Sequence, residues 1–531
     1  MRIFSPIAHG AALLSGCSII ALCTTSAVAQ ADEPFLFPNS LIISSSTYDR
    51  SQGAVASLKV GTALANTATA TTPAIADNNY VTVWNNDSVD GSFGVTSPIH
   101  LTAVEPRSGH EFRSVWVPTD QVVTSFSSKS ELGLHIGRDC DGLHLVFVGY
   151  ASPGVGALDV SNSDAVAGQD PTNPVTFAFG SAHAFHRTIV SMNEEGRFFY
   201  TPTINYGGNN GRSALLGPNG LYYTVGNANN GNATAFGPTN DTNPDVTETT
   251  GLEVVQPINS WWANAPIPTG NSAEVAPLLQ FSLGKNGALD KPGKDNNYRG
   301  VTEFEGALYF AKGSGSNGID TVYTVSSLPT VANAASQKIS VVPGFPTDSA
   351  RSTGGDFTPF AVFFANATTM YVTDEGSGAS LDAVQHAGLE KWSLVGATWQ
   401  LDYVLTKGLI GTVDSNLFGF DGQYPDVTTV GLRNLTGTVN DDGTVTLWAT
   451  TSTSSASGDN GADPNKVVKI VDQLSATTLT GSVTQETFKT LAGPTYGTVY
   501  RGVAYVGGEC APHHRFGGGC DRDGDDHHAG H

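Results

Sequence analysis

Apolar and polar positions alternate in short runs along the whole chain, and the runs come in pairs. In "NYRGVTEFEGALYFAKG" (Asn297–Gly313) a short apolar strand meets a turn and is followed by a strand whose large residues, Leu308 and Phe310, stand two apart. The same grammar recurs in "LGLHIGRDCDGLHLVFVGY" (Leu132–Tyr150), "NGRSALLGPNGLYYTVGN" (Asn210–Asn227), "TPFAVFFANATTMYVTDEG" (Thr358–Gly376) and "GLRNLTGTVNDDGTVTLWATT" (Gly431–Thr451). Period-two burial on either side of a Gly, Asn or Asp turn predicts β-hairpins. No stretch of the mature chain shows convincing helical periodicity.

Third and fourth strands follow several hairpins. "GLEKWSLVGATWQLDYVL" (Gly388–Leu405) supplies both, as do "KVVKIVD" with "QETFKTL" and "DTVYTVSSLP" with "QKISVVPGF". Four-stranded antiparallel units in series predict the blades of a β-propeller. Hairpin starts at Leu132, Arg212, Arg299, Pro359, Arg433 and Arg501 give six blades. Their spacing of about sixty to ninety residues exceeds the roughly forty to fifty of common propeller repeats, and polar insertions such as 62–79, 231–251 and 451–465 take up the excess. A seventh blade stays open, from strands between Tyr80 and Phe126 or between His183 and Tyr206. "YRGVAYV" (Tyr500–Val506) reads as a first strand whose blade lacks the rest, while "NSLIISSSTYD" (Asn39–Asp49) and "GAVASLKVG" (Gly53–Gly61) read as strands lacking a partner. Pairing the two ends closes the ring and removes exposed sheet edges.

These phrases, together with "VVTSFSSKSELGLH", resemble a family of exported bacterial β-propeller proteins over nearly the whole stretch Asn39–Val506. The resemblance implies the fold and brings no activity with it.

Ahead of the propeller, Met1-Arg2, an apolar run and Ala27-Val28-Ala29 form a signal peptide over residues 1–29. A competing reading takes Leu14-Ser15-Gly16-Cys17 as a lipoprotein box with a lipid anchor on Cys17. Either way a secreted or periplasmic location is expected, with the propeller over 36–506 and a disordered Gly/Asp/His-rich tail over 507–531. No later run reaches the roughly 20 apolar residues of a membrane span. With 26 Lys and Arg against 48 Asp and Glu, the formal charge is −22, and so acidic a surface repels nucleic acid. Three cysteines remain after the leader: Cys140, Cys510 and Cys520. Cys510 and Cys520 are the expected disulfide, and so few thiols leave the core to hydrophobic packing.

Candidate chemistry falls in five places. Arg212, Arg299, Arg433 and Arg501 recur at the entry of the first strand, next to the axis, where guanidinium groups would hold a carboxylate or sulfate, or else pair internally and tie blades together. Asp374 and Glu375 in "TDEG" either join them in a channel or merely end a strand. Trp261 and Trp262 in "NSWWANAPIP" either stack on sugar or aromatic rings or fill a gap in the core. His135, Asp139, Asp141 and His144 around Cys140 suit a metal less well than a hairpin turn. In the tail, Cys510, His513, His514 and Cys520, with Asp521, Asp523, Asp525, His527 and His528, would bind transition metals weakly. No nucleophile elbow, zincin or Walker motif occurs, and no Gly-rich turn opens a helix as a dinucleotide fingerprint requires. The expectation is therefore a monomeric, non-catalytic propeller for a small molecule, polysaccharide or protein ligand, against a propeller hydrolase or lyase acting on an ester, lactone or polysaccharide at the channel.

Overall fold

The computed structural model describes residues 34–507, apart from 50, 60, 62, 66–70, 74, 77–83, 86–93, 127–131, 140–141, 159, 163–184, 208, 229–249, 277–295, 314–317, 351–356, 377–386, 414–425, 455–462 and 496. Its sheets form a six-bladed β-propeller with four-stranded blades. Blade 1 is the closing blade: Thr498–Val506 lies innermost, followed outward by Ser40–Thr47, Ile99–Val104 and Glu111–Trp116. Val503 pairs with Ile43 and Val506 with Ser40, so the ends of the propeller share one sheet as expected. Blades 2 to 6 begin at His135–Asp139, Gly211–Leu216, Val301–Phe304, Pro359–Asn366 and Val427–Val439. Each innermost strand packs against the next around the ring.

Two expectations need correcting. Gly53–Gly61 is not a strand, because Ala54–Ser57 forms a 3-10 turn with only Val55 buried. The outer strands of the closing blade are Ile99–Val104 and Glu111–Trp116, beyond a long insertion. The possible seventh blade also dissolves: Arg187–Asn193 and Phe198–Thr203 complete blade 2, and the strands before Phe126 complete blade 1 or flank blade 2.

Alternation explains the core. Ile42 of blade 1 packs toward blade 2, while Leu41 and Ile43 pack toward blade 6. In blade 2, Leu145 and Phe147 face blade 1, while Val146 and Val148 face blade 3. A blade sandwiched between two neighbours buries both faces, so its strands read as near-continuous apolar runs. A buried apolar cluster fills each of the six gaps between adjacent blades. Because the strands run up and down, the connections between second and third strands all emerge at one end. The entry to each first strand lies at that same end.

Candidate functional site

The arginines owe their positions to a repeated irregularity. In blade 3, Gly211 pairs with Gly226 and Ser213 with Val225, leaving Arg212 as an extra residue. In blade 6, Arg433 and Asn434 fall between the pairs Leu432↔Thr451 and Leu435↔Ala449. Arg501 and Gly502 fall between Tyr500↔Ser45 and Val503↔Ile43 in blade 1. Such bulges re-aim a side chain, here into the buried region around the axis. The residue after the arginine is small where the next blade's backbone arrives. A Cβ on Gly502 would sit 2.1 Å from the Leu132 carbonyl oxygen, and one on Gly300 2.6 Å from that of Phe360.

Blade 5 breaks the repeat. Its extra residue is Phe360, between Pro359↔Asp374 and Ala361↔Thr373, and its ring lies 5.8 Å from the Arg299 guanidinium carbon. The same blade supplies Glu375 at the end of its second strand. Arg433 Nε donates to Glu375 Oε2 at 3.1 Å, and Arg299 Nη2 lies 3.5 Å from Glu375 Oε1. One carboxylate of the chain thus takes the place between two guanidinium groups that an outside anion would need. The network extends to blade 4, where Lys312 Nζ donates to Asp320 Oδ1 at 2.6 Å. Burial holds Arg299 below the usual guanidinium range, opposed by the attraction of Glu375. Burial likewise raises Asp320, opposed chiefly by Lys312.

The other predicted groups are similarly engaged. Asp374 Oδ2 accepts from the Thr358 amide at 2.7 Å, while Oδ1 accepts from the Thr358 hydroxyl at 2.5 Å and the Gly376 amide at 2.8 Å. Arg501 Nε donates to Ser46 Oγ at 3.1 Å and its guanidinium stands over the Phe126 ring. Arg212 is buried. Arg187 escaped notice in the sequence, since it has no counterpart in the repeat. It is fully buried and donates through Nε to the Asn209 carbonyl at 2.9 Å, tying the insertion end of blade 2 to blade 3.

The histidines of the first hairpin take separate partners. His135 Nε2 lies 2.8 Å from Ser213 Oγ, and burial lowers its pKa to about 4. His144 stands between Ser191 Oγ, 2.9 Å from Nδ1, and Asp139 Oδ1, 3.0 Å from Nε2. This Ser-His-Asp line is enclosed: Ser191 lies within a strand and is 2% exposed, which denies a substrate access to its hydroxyl. Asp139 and Gly142 pair across the turn as the hairpin reading requires. Among the described residues, no three His, Cys, Asp or Glu side chains are grouped to hold a metal. Cys140, Asp141 and the tail from Cys510 to His531, with its metal and disulfide candidates, lie outside the described residues, as does the leader.

Trp261 and Trp262 differ from all of these. They are 62% and 67% exposed, in the connection between the third and fourth strands of blade 3. That connection is pinned along the outer edge of blade 2. Ser260 and Tyr200 exchange backbone hydrogen bonds of 2.9 and 2.8 Å, Thr201 Oγ1 accepts from the Ile258 amide at 3.1 Å, and the Ala263 carbonyl accepts from Thr188 Oγ1 at 3.0 Å. The gap in the core is filled by Ala263, 1% exposed, and by neither tryptophan. Trp261 leans on Phe199 with ring centroids 5.0 Å apart.

No protein-family model matches the chain, and no curated protein matches it in sequence. Among solved structures, a chain from a complex of S. cerevisiae Dbp5 with Nup159, Gle1, IP6 and ADP is similar at 7% identity, over 66% of this chain and 90% of that one, with a TM-score of 0.23. So low a score carries no argument about function.

Proposed function

We propose that the protein is an exported, non-catalytic propeller that binds a ring-bearing ligand, with neutral polysaccharide the best-matched class, through Trp261 and Trp262. The observation that carries this reading is the exposure of the two indoles on a loop anchored by hydrogen bonds on both sides of them. Burying a large aromatic side chain contributes about 1.5–3 kcal/mol, yet this loop anchors itself by backbone bonds and a buried alanine and leaves both rings in solvent. Indole faces stack on the apolar faces of sugar rings, and their rigidity keeps the ordering cost of binding low. Hydrogen-bonding groups for sugar hydroxyls stand alongside, in exposed Asn259 and Asn264. The charge of −22 opposes contact with anionic lipid surfaces or nucleic acid. The axis supports the non-catalytic part, since Glu375 is engaged by Arg299 and Arg433 and Asp374 by the backbone around it.

Export rests on the leader pattern and on the resemblance to exported bacterial propellers. N-terminal sequencing of the protein recovered from the cell envelope and medium should begin at Gln30; a start at a lipid-modified Cys17 would replace soluble export by anchoring. Ligand binding is tested by tryptophan fluorescence and co-sedimentation with insoluble and soluble polysaccharides. Quenching that disappears in Trp261→Ala/Trp262→Ala supports the reading, and unchanged binding in that variant overturns it.

A further inference from the structure

Alternation along the blades places two charged residues where apolar ones are expected. Leu389 faces the gap between blades 5 and 6 and Trp392 the gap between blades 4 and 5, so Lys391 shares the side of Leu389. Val468 and Ile470 of blade 6 face the same gap, which puts Asp472 there as well. Both Lys391 and Asp472 are fully buried. Lys391 Nζ lies 2.8 Å from Asp472 Oδ2 and also donates to the Gln473 carbonyl at 2.6 Å and to Tyr403 Oη at 3.1 Å.

The surroundings of the pair do more than hold an ion pair. Tyr403 donates to Asp472 Oδ1 at 2.7 Å and Tyr371 donates to Oδ2, so a phenol addresses each carboxyl oxygen. The Lys391 amine stands 5.6 Å from the centroid of the Tyr371 ring and 5.3 Å from that of the Tyr403 ring. Glu486, in the connection that follows Asp472, accepts from the Gln473 amide through Oε1 at 3.2 Å and keeps Oε2 buried with no hydrogen-bond partner among the described residues. Burial first, and then the Asp472 carboxylate, push Glu486 up to about 8, which favours its protonated form while Asp472 is ionised.

We propose that Lys391 and Asp472 condense into an isopeptide bond that joins blades 5 and 6, with Glu486 as the proton shuttle. One proton passes from Lys391 Nζ to Asp472, leaving a neutral amine beside a carboxylic acid. Nζ then attacks Asp472 Cγ, one C–O bond beyond the oxygen it already contacts. A C–N bond forms; the tetrahedral oxyanion develops on Oδ1, which faces the Tyr403 hydroxyl, while the protonated Oδ2, which faces Tyr371, becomes the departing oxygen. Glu486 gives its proton to the departing oxygen and takes one from Nζ, so it ends unchanged. The Cγ–O bond breaks and one water leaves, so that amine and acid become amide and water with no further reactant. In open water hydrolysis would win. Here the groups are held at an effective concentration on the order of 10⁵–10⁸ M in an apolar gap, which favours the amide.

Intact-mass spectrometry of the purified full chain tests the bond. The expected mass is that of the processed sequence less one water, and proteolysis should release a branched peptide joining the fragments of Lys391 and Asp472. Lys391→Arg keeps the positive charge but cannot condense, and Glu486→Gln keeps the size of the side chain but removes the shuttle. Both should show the full mass of their sequences with a native circular-dichroism spectrum. A wild-type chain of full mass, or a water lost elsewhere in the sequence, overturns the bond. A Glu486→Gln chain that is still lighter by one water overturns the role of Glu486.

Discussion

The axis and the outer edge of blade 2 treat their most interactive side chains in opposite ways. Around the axis, Arg299, Arg433, Glu375, Lys312, Asp320 and Asp374 are all buried and engaged with one another or with the backbone. On the edge, Trp261 and Trp262 are held in place by neighbours yet left in solvent. A buried charge is costly unless paired, so the fold must satisfy the axis within itself. An exposed indole costs little, and under the proposed function it is contact area left for a ligand. The contrast separates groups that hold the ring from groups open to a ligand.

The largest blow to this division comes from Glu375→Ala. It leaves two buried guanidinium groups without their shared carboxylate, and breaking a buried pair this way costs about 3–5 kcal/mol. Urea unfolding should show the loss, while the folded fraction keeps polysaccharide binding. Arg299→Ala and Arg433→Ala should act in the same direction; binding lost at full stability would move the ligand to the axis. Next is Gly502→Ala, whose methyl would meet the Leu132 carbonyl at 2.1 Å. Overpacking at the ring closure costs about 1–3 kcal/mol, read as a lower thermal midpoint. The double alanine at Trp261 and Trp262 should change stability by no more than about 0.5 kcal/mol and weaken binding about tenfold or more, a loss of about 1.4 kcal/mol. A collapse of stability instead would make the loop structural.

The smallest effect is one of pH. Burial lowers His135 to about 4 from its ordinary 6.5. Between those values the unfolded chain binds a proton that the folded ring refuses, so stability present above pH 6.5 is lost as the pH falls toward 4. The residue keeps partial contact with solvent, and screening limits the effect to about 1 kcal/mol. His135→Gln should flatten the dependence of the urea midpoint on pH between 7 and 4; an unchanged slope would assign it to other groups.

Much of the architecture was legible because blade strands are local. The turn after Asp139, the alternation around Leu308 and Phe310, and the repeat of "YRGV" at Tyr298 and Tyr500 are set within a few residues of each other. The arginines could be placed near the axis for the same reason, since their bulges recur with the strands. Gly53–Gly61 misled because its spacing of small and apolar residues suits a strand, while the true partners of Ser40–Thr47 follow an insertion that ends only near Gly94. Nothing near Arg433 in the chain points to Glu375, 58 positions away. Nothing near Trp261 says that Ala263 will fill the gap.

The sequence by itself determined the strands, their grouping in fours and the stitching of the two ends, because burial on alternate sides is written into neighbouring residues. Only the tertiary structure decided which charges neutralise each other, which aromatic rings stay in water and that Lys391 meets Asp472 across 81 positions. Those outcomes depend on how one blade's face lies against the next, and packing between distant segments leaves no periodic trace in either segment.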